Sequence, residues 1–367
     1  MKYLLISLTV LIFACGSKEF KPLNLHELKS KPLDHAKLFE IREWEDTTVV
    51  SVYSGTDSNK TVTNILSHDG NIRLENQEWV PLENCILISA TQFGALSILN
   101  LRDKIGGVNK KSYVYDSLIR SSIDSKEILE YGELFQINKE LLLKNKCKVI
   151  FYSGGLMQNT EETWFKNHGI TLIPVIEWQE SHVLARAEWI KFYAALFDKE
   201  EESEKHFTAV KNAYMEIASK SKSCEGEVLI GNDYKGVWYT PGGKSYLAQM
   251  LRSTGIDYPW YDTDKTGSLS FDLEVMIKEQ QDANYWINPG TATSLSQLKS
   301  ENQHYSQFQA FQNKRVFNYT KRSREDGANE YWETGLYFPN ILLSDYRLIL
   351  QGDSSMWKDL YYYQQLQ

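Results

Sequence analysis

A cluster of basic side chains stands out in this chain, which is acidic overall. It lies beside Tyr319 and consists of Arg315, Lys321, Arg322 and Arg324. Because planar guanidinium groups bind carboxylates and phosphates through paired hydrogen bonds, the cluster predicts a clamp for an anionic ligand. A solvated loop explains the same residues equally well, and both interpretations stay open.

Two glutamates occupy equivalent positions in the two halves of the chain. Asn138-Lys139-Glu140 and Asp272-Leu273-Glu274 each place Glu at the second position of a predicted helix, after a residue type that caps helices. An acid in the first turn also interacts favourably with the helix dipole, which is enough to explain either Glu alone. As a pair, Glu140 and Glu274 predict a symmetric docking surface for a two-subunit partner that carries arginines.

Motifs typical of common catalytic and metal sites are absent from the sequence. The seven histidines show neither HxH nor HExxH spacing, which argues against a zinc site. Gly242-Gly243-Lys244-Ser245 resembles the end of a P-loop, but Trp238 stands where the motif needs its first glycine, so a turn before a helix is predicted. We expect no catalytic residue, no protein-bound metal and no cofactor. One alternative is a glycosidase-type pair of carboxylates, drawn from Glu177, Glu180, Glu330 and Glu333.

The N-terminus has the pattern of a bacterial lipoprotein signal. Lys2 precedes an apolar run of about ten residues, which is too short to span a bilayer but typical of a signal peptide. Ile12-Phe13-Ala14-Cys15 then resembles a lipobox. We expect lipidation of Cys15 and an exported protein held at a membrane by its lipid alone. An ordinary cleaved signal with an incidental cysteine is the alternative.

The composition excludes some classes of protein. With 42% apolar and 24% charged residues over 367 positions, the chain is predicted to be globular. An excess of 48 acidic over 40 basic residues argues against a nucleic-acid partner. The 10 Trp, 22 Tyr and 15 Phe residues favour a binding surface lined by rings. Cys85 and Cys147 each precede an apolar run, and they form either a disulfide or buried free thiols.

Strands and helices are predicted to alternate along most of the chain, which is typical of parallel sheets with helices on their faces. Residues 90–94 predict a turn, 331–350 predict a closing helix, and apolar residues from Val183 to Phe197 recur with helical spacing. Buried strands are predicted at 85–89, 149–152, 171–176, 227–231, 285–287 and 315–318.

The predicted fold is therefore α/β, with two Rossmann-like lobes that contain parallel sheets and are joined by a long rigid linker helix. Ligands favour the cleft between such lobes and the carboxyl ends of parallel strands. The predicted order is signal peptide 1–14, lipidated tether 15–35, β-rich extension 36–83, N-terminal lobe 84–180, linker helix region 181–221, C-terminal lobe 222–350 and C-terminal tail 351–367.

The order of these segments resembles that of the iron-complex and vitamin B12 substrate-binding proteins of ABC importers, over about residues 84–350. Cys147-Lys148 stands where the family has Pro-Asp. The segments that carry the resemblance are Ile86–Thr91, Ile105–Val108, Asn138–Glu140, Val149–Phe151, Arg186–Ile190, Gly242–Tyr246, Leu273–Val275, Tyr331–Gly335 and Pro339–Asp345.

The resemblance implies a non-catalytic protein with the fold of class III periplasmic binding proteins. Such a protein captures a metal chelate and delivers it to a permease dimer with its ATPase; the expected cargo is a ferric siderophore first, a corrinoid second and haem third. By match, Glu140 and Glu274 contact permease arginines. The matching ligand-binding residues are Thr91, Tyr113, Tyr115, Trp178, Trp238, Tyr239, Tyr319, Arg322 and Arg324. Two alternatives are a lipid-anchored hydrolase that uses cleft carboxylates and a non-catalytic scaffold lipoprotein.

Overall fold

The computed structural model describes residues 21–22, 28–44, 47–54, 61–67, 72–73, 82–133, 136–145, 147–154, 159–220 and 224–367. The predicted signal peptide and Cys15 lie outside these residues. The strands are β1 (Lys21–Pro22), β2 (Lys29–Lys31), β3 (Phe39–Trp44), β4 (Thr47–Ser54), β5 (Thr61–Ser67), β6 (Ile72–Arg73), β7 (Cys85–Leu87), β8 (Ile105–Val108), β9 (Leu129–Glu130), β10 (Val149–Ser153), β11 (Thr171–Val175), β12 (Val228–Ile230), β13 (Asn232–Tyr234), β14 (Val237–Pro241), β15 (Ser268–Asp272), β16 (Tyr285–Ile287), β17 (Val316–Asn318) and β18 (Gln364–Gln365).

Helices connect most of these strands, with short 3-10 turns between them. They are α1 (Ala90–Ile98), α2 (Ser117–Asp124), α3 (Lys139–Lys144), α4 (Asn159–Asn167), α5 (Val183–Glu188), α6 (Ile190–Phe197), α7 (Glu200–Ser219), α8 (Tyr246–Arg252), α9 (Leu273–Gln280), α10 (Leu295–Glu301), α11 (Gln309–Gln312), α12 (Glu330–Thr334) and α13 (Pro339–Leu350).

The N-terminal lobe is built on a parallel sheet with the strand order β11-β10-β7-β8-β9. Leu87 and Phe151 pack into the core on one face of this sheet, whereas Ile86 and Ile150 pack into the core on the other. Parallel sheets are normally covered on both faces, as this one is. The predicted α/β architecture is confirmed here.

The C-terminal lobe has a second sheet with the order β12-β16-β17-β18, in which β18 runs antiparallel to the other strands. The buried carboxylate of Asp345 accepts the backbone N–H groups of Tyr361, Tyr362 and Tyr363 and so holds the segment that leads into β18. Residues 351–367, predicted as a tail, are therefore an integral part of this lobe.

A smaller antiparallel sheet of β13, β14 and β15 extends the C-terminal lobe. The turn after β14 needs glycine because a Cβ on Gly243 would lie 2.2 Å from the backbone oxygen of Tyr261. Ser245 then caps α8, and its Oγ accepts the backbone N–H of Ala248 at 3.2 Å. The sequence Gly242-Gly243-Lys244-Ser245 is thus a turn before a helix, as predicted.

The connection between the lobes is made of three helices, and the predicted single helix from Val183 to Phe197 is interrupted at Trp189. Asp198 then adopts left-handed backbone angles and separates α6 from α7. Helix α7 is the segment that crosses between the lobes, since Phe207 packs in the core of the N-terminal lobe and Tyr214 in that of the C-terminal lobe. Its 20 residues correspond to about 30 Å of helix.

Two further helix boundaries differ from the predictions. Residues 90–94 are the start of α1 rather than a turn, because Ser89 caps the helix and Gln92 completes a capping box with the Ser89 backbone. The predicted closing helix over 331–350 is divided into α12, a 3-10 turn and α13, and Pro339 begins the last of these.

An antiparallel sheet of β2, β3, β4 and β5 precedes the lobes and packs on α6. Its attachment includes the buried carboxylates of Glu180, at the end of the N-terminal lobe, and Glu188, in the linker. Glu188 accepts the backbone N–H groups of residues 34, 35 and 36, and Glu180 accepts those of residues 37 and 38. The predicted β-rich character of this region is present in the structure, and its core is continuous with that of the N-terminal lobe.

Cys85 and Cys147 are free thiols in the structure. Cys85 begins β7 and Cys147 precedes β10, and these two strands are neighbours. Both side chains are buried, and burial raises the pKa of each thiol. The structure therefore contains the buried-thiol alternative rather than the disulfide.

No helix among the described residues has the length and apolar character needed to cross a membrane.

Candidate ligand cleft between the lobes

Several predicted ligand-binding residues follow the carboxyl ends of parallel strands. Thr91 comes after β7, Tyr115 after β8 and Trp178 after β11, whereas Tyr319 and Arg322 come after β17. Since parallel strands end at a common edge of their sheet, each group lies at the edge where α/β proteins bind ligands.

A stack of rings forms the part of this site that comes from the C-terminal lobe. Tyr319 and Tyr331 are stacked with ring centroids 4.5 Å apart, and Trp332 contacts both rings edge-on at 5.1 and 5.0 Å. Burial raises the pKa of Tyr319 to about 12, with a further contribution from the nearby Tyr246. Trp332 remains 50% exposed and offers an apolar ring to a ligand.

Arg324, in the loop after β17, and Glu333, in α12, connect the C-terminal lobe to the N-terminal lobe. Arg324 donates from Nε to the backbone oxygen of Tyr115 at 2.9 Å and from Nη2 to Ser117 Oγ at 2.8 Å. The buried carboxyl group of Glu333 accepts the backbone N–H of Tyr115 at 2.6 Å and that of Asp116 at 3.1 Å. These contacts bring Tyr115 against the residues that follow β17.

Arg322 is paired within the chain. Its Nε donates to the Glu330 carboxylate, and its guanidinium group lies 4.2 Å from the centroid of the Tyr361 ring. The Tyr361 hydroxyl donates to the other Glu330 oxygen at 2.8 Å. Arg322, Glu330 and Tyr361 therefore form a closed group in which cation, anion and ring are held together.

A third arginine comes from the linker. Arg186 lies 4.0 Å from the centroid of the Tyr246 ring and attracts the carboxylate of Glu177. Burial raises the pKa of Glu177, and Arg186 and the Thr91 hydroxyl partly oppose that effect. We use the name cleft band for the set of rings and arginines Tyr115, Arg186, Tyr246, Tyr319, Arg322, Arg324, Tyr331, Trp332 and Tyr361.

Trp238 does not belong to the cleft band, and its prediction as a ligand-binding residue is wrong. It is 0% exposed, and its Nε1 donates to the Ile230 backbone oxygen at 2.9 Å. Its ring packs against Trp286 and Phe308 in the core of the C-terminal lobe. Successive residues of a strand point to opposite faces, so Tyr239 is the residue that faces outward and is 47% exposed.

The remaining predicted ring residues lie at the surface. Tyr113 is exposed and hydrogen-bonds with Glu133, which raises the pKa of the tyrosine. Trp178 is exposed beside the buried Glu177. Among the described residues, neither Tyr113 nor Tyr239 has a ring contact or cation–π contact with the cleft band.

The structure divides the basic cluster predicted from the sequence. Arg315 precedes β17 and lies over the Tyr285 ring, whereas Arg322 and Arg324 follow the same strand and reach the cleft band. Lys321 donates to the backbone oxygens of Lys358 and Leu360. The cluster is therefore not a single clamp, because a strand separates its members.

The carboxylates considered for hydrolysis are engaged in other contacts. Glu180 accepts hydrogen bonds from the backbone of residues 37 and 38 and from Trp189 Nε1. Glu333 holds the backbone at Tyr115, and Glu330 is paired with Arg322. The part of the chain described by the structure contains no group of three or more His, Cys, Asp or Glu side chains suited to a metal ion.

Glu140 and Glu274 occupy matching places in the two lobes. Each is exposed at the second position of its helix, α3 or α9, and each helix leads into a strand of its lobe's parallel sheet. Such a helix runs antiparallel to the strand that follows, so both acids lie toward the edge that carries the cleft band. No ion pair joins either carboxylate within the described residues.

A separate pocket of about 390 Å³ lies where α5, α7 and α8 meet. It shares no residue with the cleft band. Its lining consists of His182, Val183, Tyr214, Gln249, Arg252 and Ser253.

Several residues of the cleft band were not predicted from the sequence. The surplus of aromatic residues was a general signal for a ring-lined site, but it does not single out individual tyrosines. Arg186 and Glu330 carry no local motif, since the contacts that define them are with residues distant in the chain. The members not predicted as ligand-binding residues are Arg186, Tyr246, Tyr331, Trp332 and Tyr361; their partner Glu330 was considered only as a carboxylate for hydrolysis.

Comparison with known proteins identifies the family. Residues 89–323 match the periplasmic binding protein family, and this span exceeds half of the chain. The chain belongs to this family. The resemblance seen in the sequence is thereby confirmed, as is the predicted α/β fold.

One relative of this periplasmic binding protein is an uncharacterized lipoprotein of Methanocaldococcus jannaschii. It is 29% identical over 285 residues, which cover 75% of this chain and 66% of the relative. This chain therefore spans just under two thirds of the relative's length.

Solved structures of the same architecture include two with named ligands. The periplasmic haem-binding protein HutB of Vibrio cholerae superposes with a TM-score of 0.54 at 15% identity, covering 71% of this chain and 98% of that one. FeuA of Bacillus subtilis, a triscatecholate siderophore-binding protein complexed with ferri-bacillibactin, has a TM-score of 0.53 at 17% identity and covers 74% and 96%. At these identities the likeness concerns the fold alone.

Proposed function

We propose that this periplasmic binding protein is the lipid-anchored substrate-binding component of an ABC importer for a metal chelate. A ferric siderophore is the first expected cargo, followed by a corrinoid and haem. The observation that carries the proposal is the cleft band, which gathers aromatic rings and three arginines from both lobes and the linker at the ligand-binding edge. HutB and FeuA, which have this fold, are named for binding haem and a siderophore.

The chemistry of the cleft band suits a large ligand with apolar faces and polar edges. Trp332 offers an exposed ring, and the stacked Tyr319 and Tyr331 hold that ring in place. Rigid aromatic surfaces of this kind bind with little loss of conformational entropy. The carboxylates nearby serve as internal hydrogen-bond acceptors, so binding without turnover is the activity that we propose.

Intrinsic tryptophan fluorescence of the purified protein tests the proposal. The protein is titrated in parallel with ferric siderophores, a corrinoid and haemin, and inner-filter absorption is corrected. We expect saturable quenching in the low micromolar range or below with one ligand class, and quenching that weakens in Trp332→Ala. A control, Trp164→Ala, removes a ring of α4 that lies outside the cleft band and should not weaken the quenching. Flat titrations with all classes would contradict the proposal.

We also propose that Glu140 and Glu274 dock the loaded protein on arginines of the permease dimer. Their exposure, their matching positions and the absence of an ion pair in the described residues support this role. The double variant Glu140→Ala/Glu274→Ala should lose chelate uptake by cells but keep its affinity for the chelate. Loss of chelate affinity would show that these residues have another role.

The membrane anchor proposed at Cys15 is tested separately. Cells that express the protein should incorporate radiolabelled palmitate into it, and Cys15→Ser should abolish that labelling. Labelling of the Cys15→Ser protein would contradict the proposed anchor.

A further inference from the structure

The cleft band contains three arginines, and Arg322 already has a carboxylate of the chain paired with it. Arg322 is bound by Glu330, which is also held by the Tyr361 hydroxyl at 2.8 Å. Arg186 attracts the buried carboxyl group of Glu177, but no ion pair joins the two within the described residues, and burial raises the pKa of Glu177. The positive charge of Arg322 is therefore compensated before any ligand binds.

The third arginine is also engaged. Arg324 uses Nε and Nη2 to donate to Tyr115 and Ser117, and its guanidinium group lies 4.9 Å from the centroid of the Tyr115 ring. The Nε and Nη2 donors of Arg324 therefore hold the two lobes together. A ligand that bound Arg324 through a paired hydrogen bond would have to displace these contacts.

The pairing of Arg322 with Glu330 is accessible to a ligand. The Arg322 side chain is 39% exposed, and that of Glu330 is 13% exposed. A polyanionic ligand placed on this surface meets the Glu330 carboxylate at the same time as the Arg322 guanidinium group, so attraction and repulsion nearly cancel. The pairing of Arg322 with Glu330 does not reduce the affinity of a ligand that carries little charge.

One buried hydrogen-bond donor of the cleft band has no partner among the described residues. The Nε atom of Arg186 is buried and makes no hydrogen bond within the described residues. Because this atom is buried, a ligand can accept a hydrogen bond from it only after neighbouring side chains move. The cleft band therefore presents no dense set of unpaired guanidinium groups, which a trianion would need.

We infer that Glu330 is a specificity-determining residue that neutralises Arg322 and restricts the site to metal chelates of low net charge. This inference rests on the proposed function and narrows it. The favoured chelates are uncharged or singly charged ones with apolar faces, such as a ferric trihydroxamate or a corrinoid. A ferric tris-catecholate, which carries three negative charges, is rejected, although FeuA has the same fold and binds a ligand of that class.

The test compares chelates that differ mainly in charge. Wild-type protein is titrated with a neutral ferric trihydroxamate, an anionic ferric tris-catecholate, a corrinoid and haemin, with tryptophan fluorescence as the readout. We expect the trihydroxamate or the corrinoid to bind at least about tenfold more tightly than the tris-catecholate. A wild-type preference for the tris-catecholate would overturn the inference and leave the proposed function intact.

A matched pair of variants then assigns the selectivity to Glu330. Glu330→Gln should strengthen tris-catecholate binding about tenfold and change trihydroxamate or corrinoid binding by less than about threefold. Glu325→Gln removes an exposed acid of the same loop and should change neither. An unchanged ratio of affinities in folded Glu330→Gln, checked by circular dichroism, would overturn the inference.

The outcomes separate the two proposals. If none of the four chelates binds the wild type, both the proposed function and this inference fail. If Glu330→Gln does not fold, the salt dependence of the wild-type protein decides the role of charge. Selectivity against the tris-catecholate should shrink as salt screens the carboxylate, and selectivity that salt leaves unchanged would overturn the inference.

Discussion

Replacing Glu188 tests how the N-terminal sheet is held to the lobes. Glu188 is completely buried, and one of its oxygens accepts the Asp34 backbone N–H at 2.8 Å. The other accepts the backbone N–H groups of His35 at 2.7 Å and Ala36 at 2.9 Å. Lys191 supplies a positive charge 3.2 Å from the carboxylate. One side chain therefore satisfies three consecutive donors of the segment that leads into β3.

The expected cost follows from these contacts. A hydrogen bond to a charged group contributes about 1.5–3 kcal/mol to stability. The 34–36 segment is partly exposed, so water compensates part of the loss, and the lower end of that range applies to each bond. We therefore expect Glu188→Ala to lower the free energy of unfolding by about 3–5 kcal/mol. Glu188→Gln retains one acceptor oxygen and should cost about half as much.

The assay is urea unfolding followed by circular dichroism, with Glu204→Ala as the matched control. Glu204 also pairs with Lys191, at 2.8 Å, but it is 60% exposed. An exposed ion pair contributes about 0–1 kcal/mol, so the control should change little. A Glu188→Ala loss no larger than that of the control would refute the role assigned to the buried carboxylate. Limited proteolysis should also cut Glu188→Ala first near residues 34–38.

Three further changes have defined outcomes. Trp238→Ala should lower the free energy of unfolding in urea by about 3–5 kcal/mol because the ring is a core residue. A smaller loss would contradict the burial of this ring. Burial raises the pKa of Glu333 to about 8, so the folded protein holds this proton more tightly than the unfolded chain. Stability should therefore fall by about 3–5 kcal/mol between about pH 4.5 and pH 8, and Glu333→Gln should remove most of that fall in urea titrations across the window. The thiols of Cys85 and Cys147 should react with a thiol reagent only after unfolding, and fast reaction of the native protein would contradict their burial.

Local patterns in the sequence were sufficient for much of the fold. The alternation of apolar runs with helical segments predicts parallel sheets, since strands buried on both faces read as continuous apolar runs. The Asn138 side chain caps α3 by accepting the Leu141 backbone N–H, whereas Asp272 occupies the N-cap position of α9 without a side-chain capping bond. Both are residue types that favour this position, which is why the positions of Glu140 and Glu274 could be predicted.

Boundaries that depend on distant residues could not be predicted in this way. Strand β18 has weak strand character, and its place depends on pairing with β17 and on the buried Asp345 carboxylate. The break at Trp189 does not disturb the apolar spacing of Val183 to Phe197, so periodicity alone could not reveal it.

The candidate site, like the fold, was only partly predictable from local sequence patterns. The sequence by itself determined that aromatic rings are plentiful and that some rings and arginines follow strand ends. Only the tertiary structure decided that Trp238 faces the core and Tyr239 faces outward, because adjacent strand residues alternate and long-range packing selects the buried face. It likewise decided that Arg322 meets Glu330, since the net charge of a site depends on which partners the fold brings together.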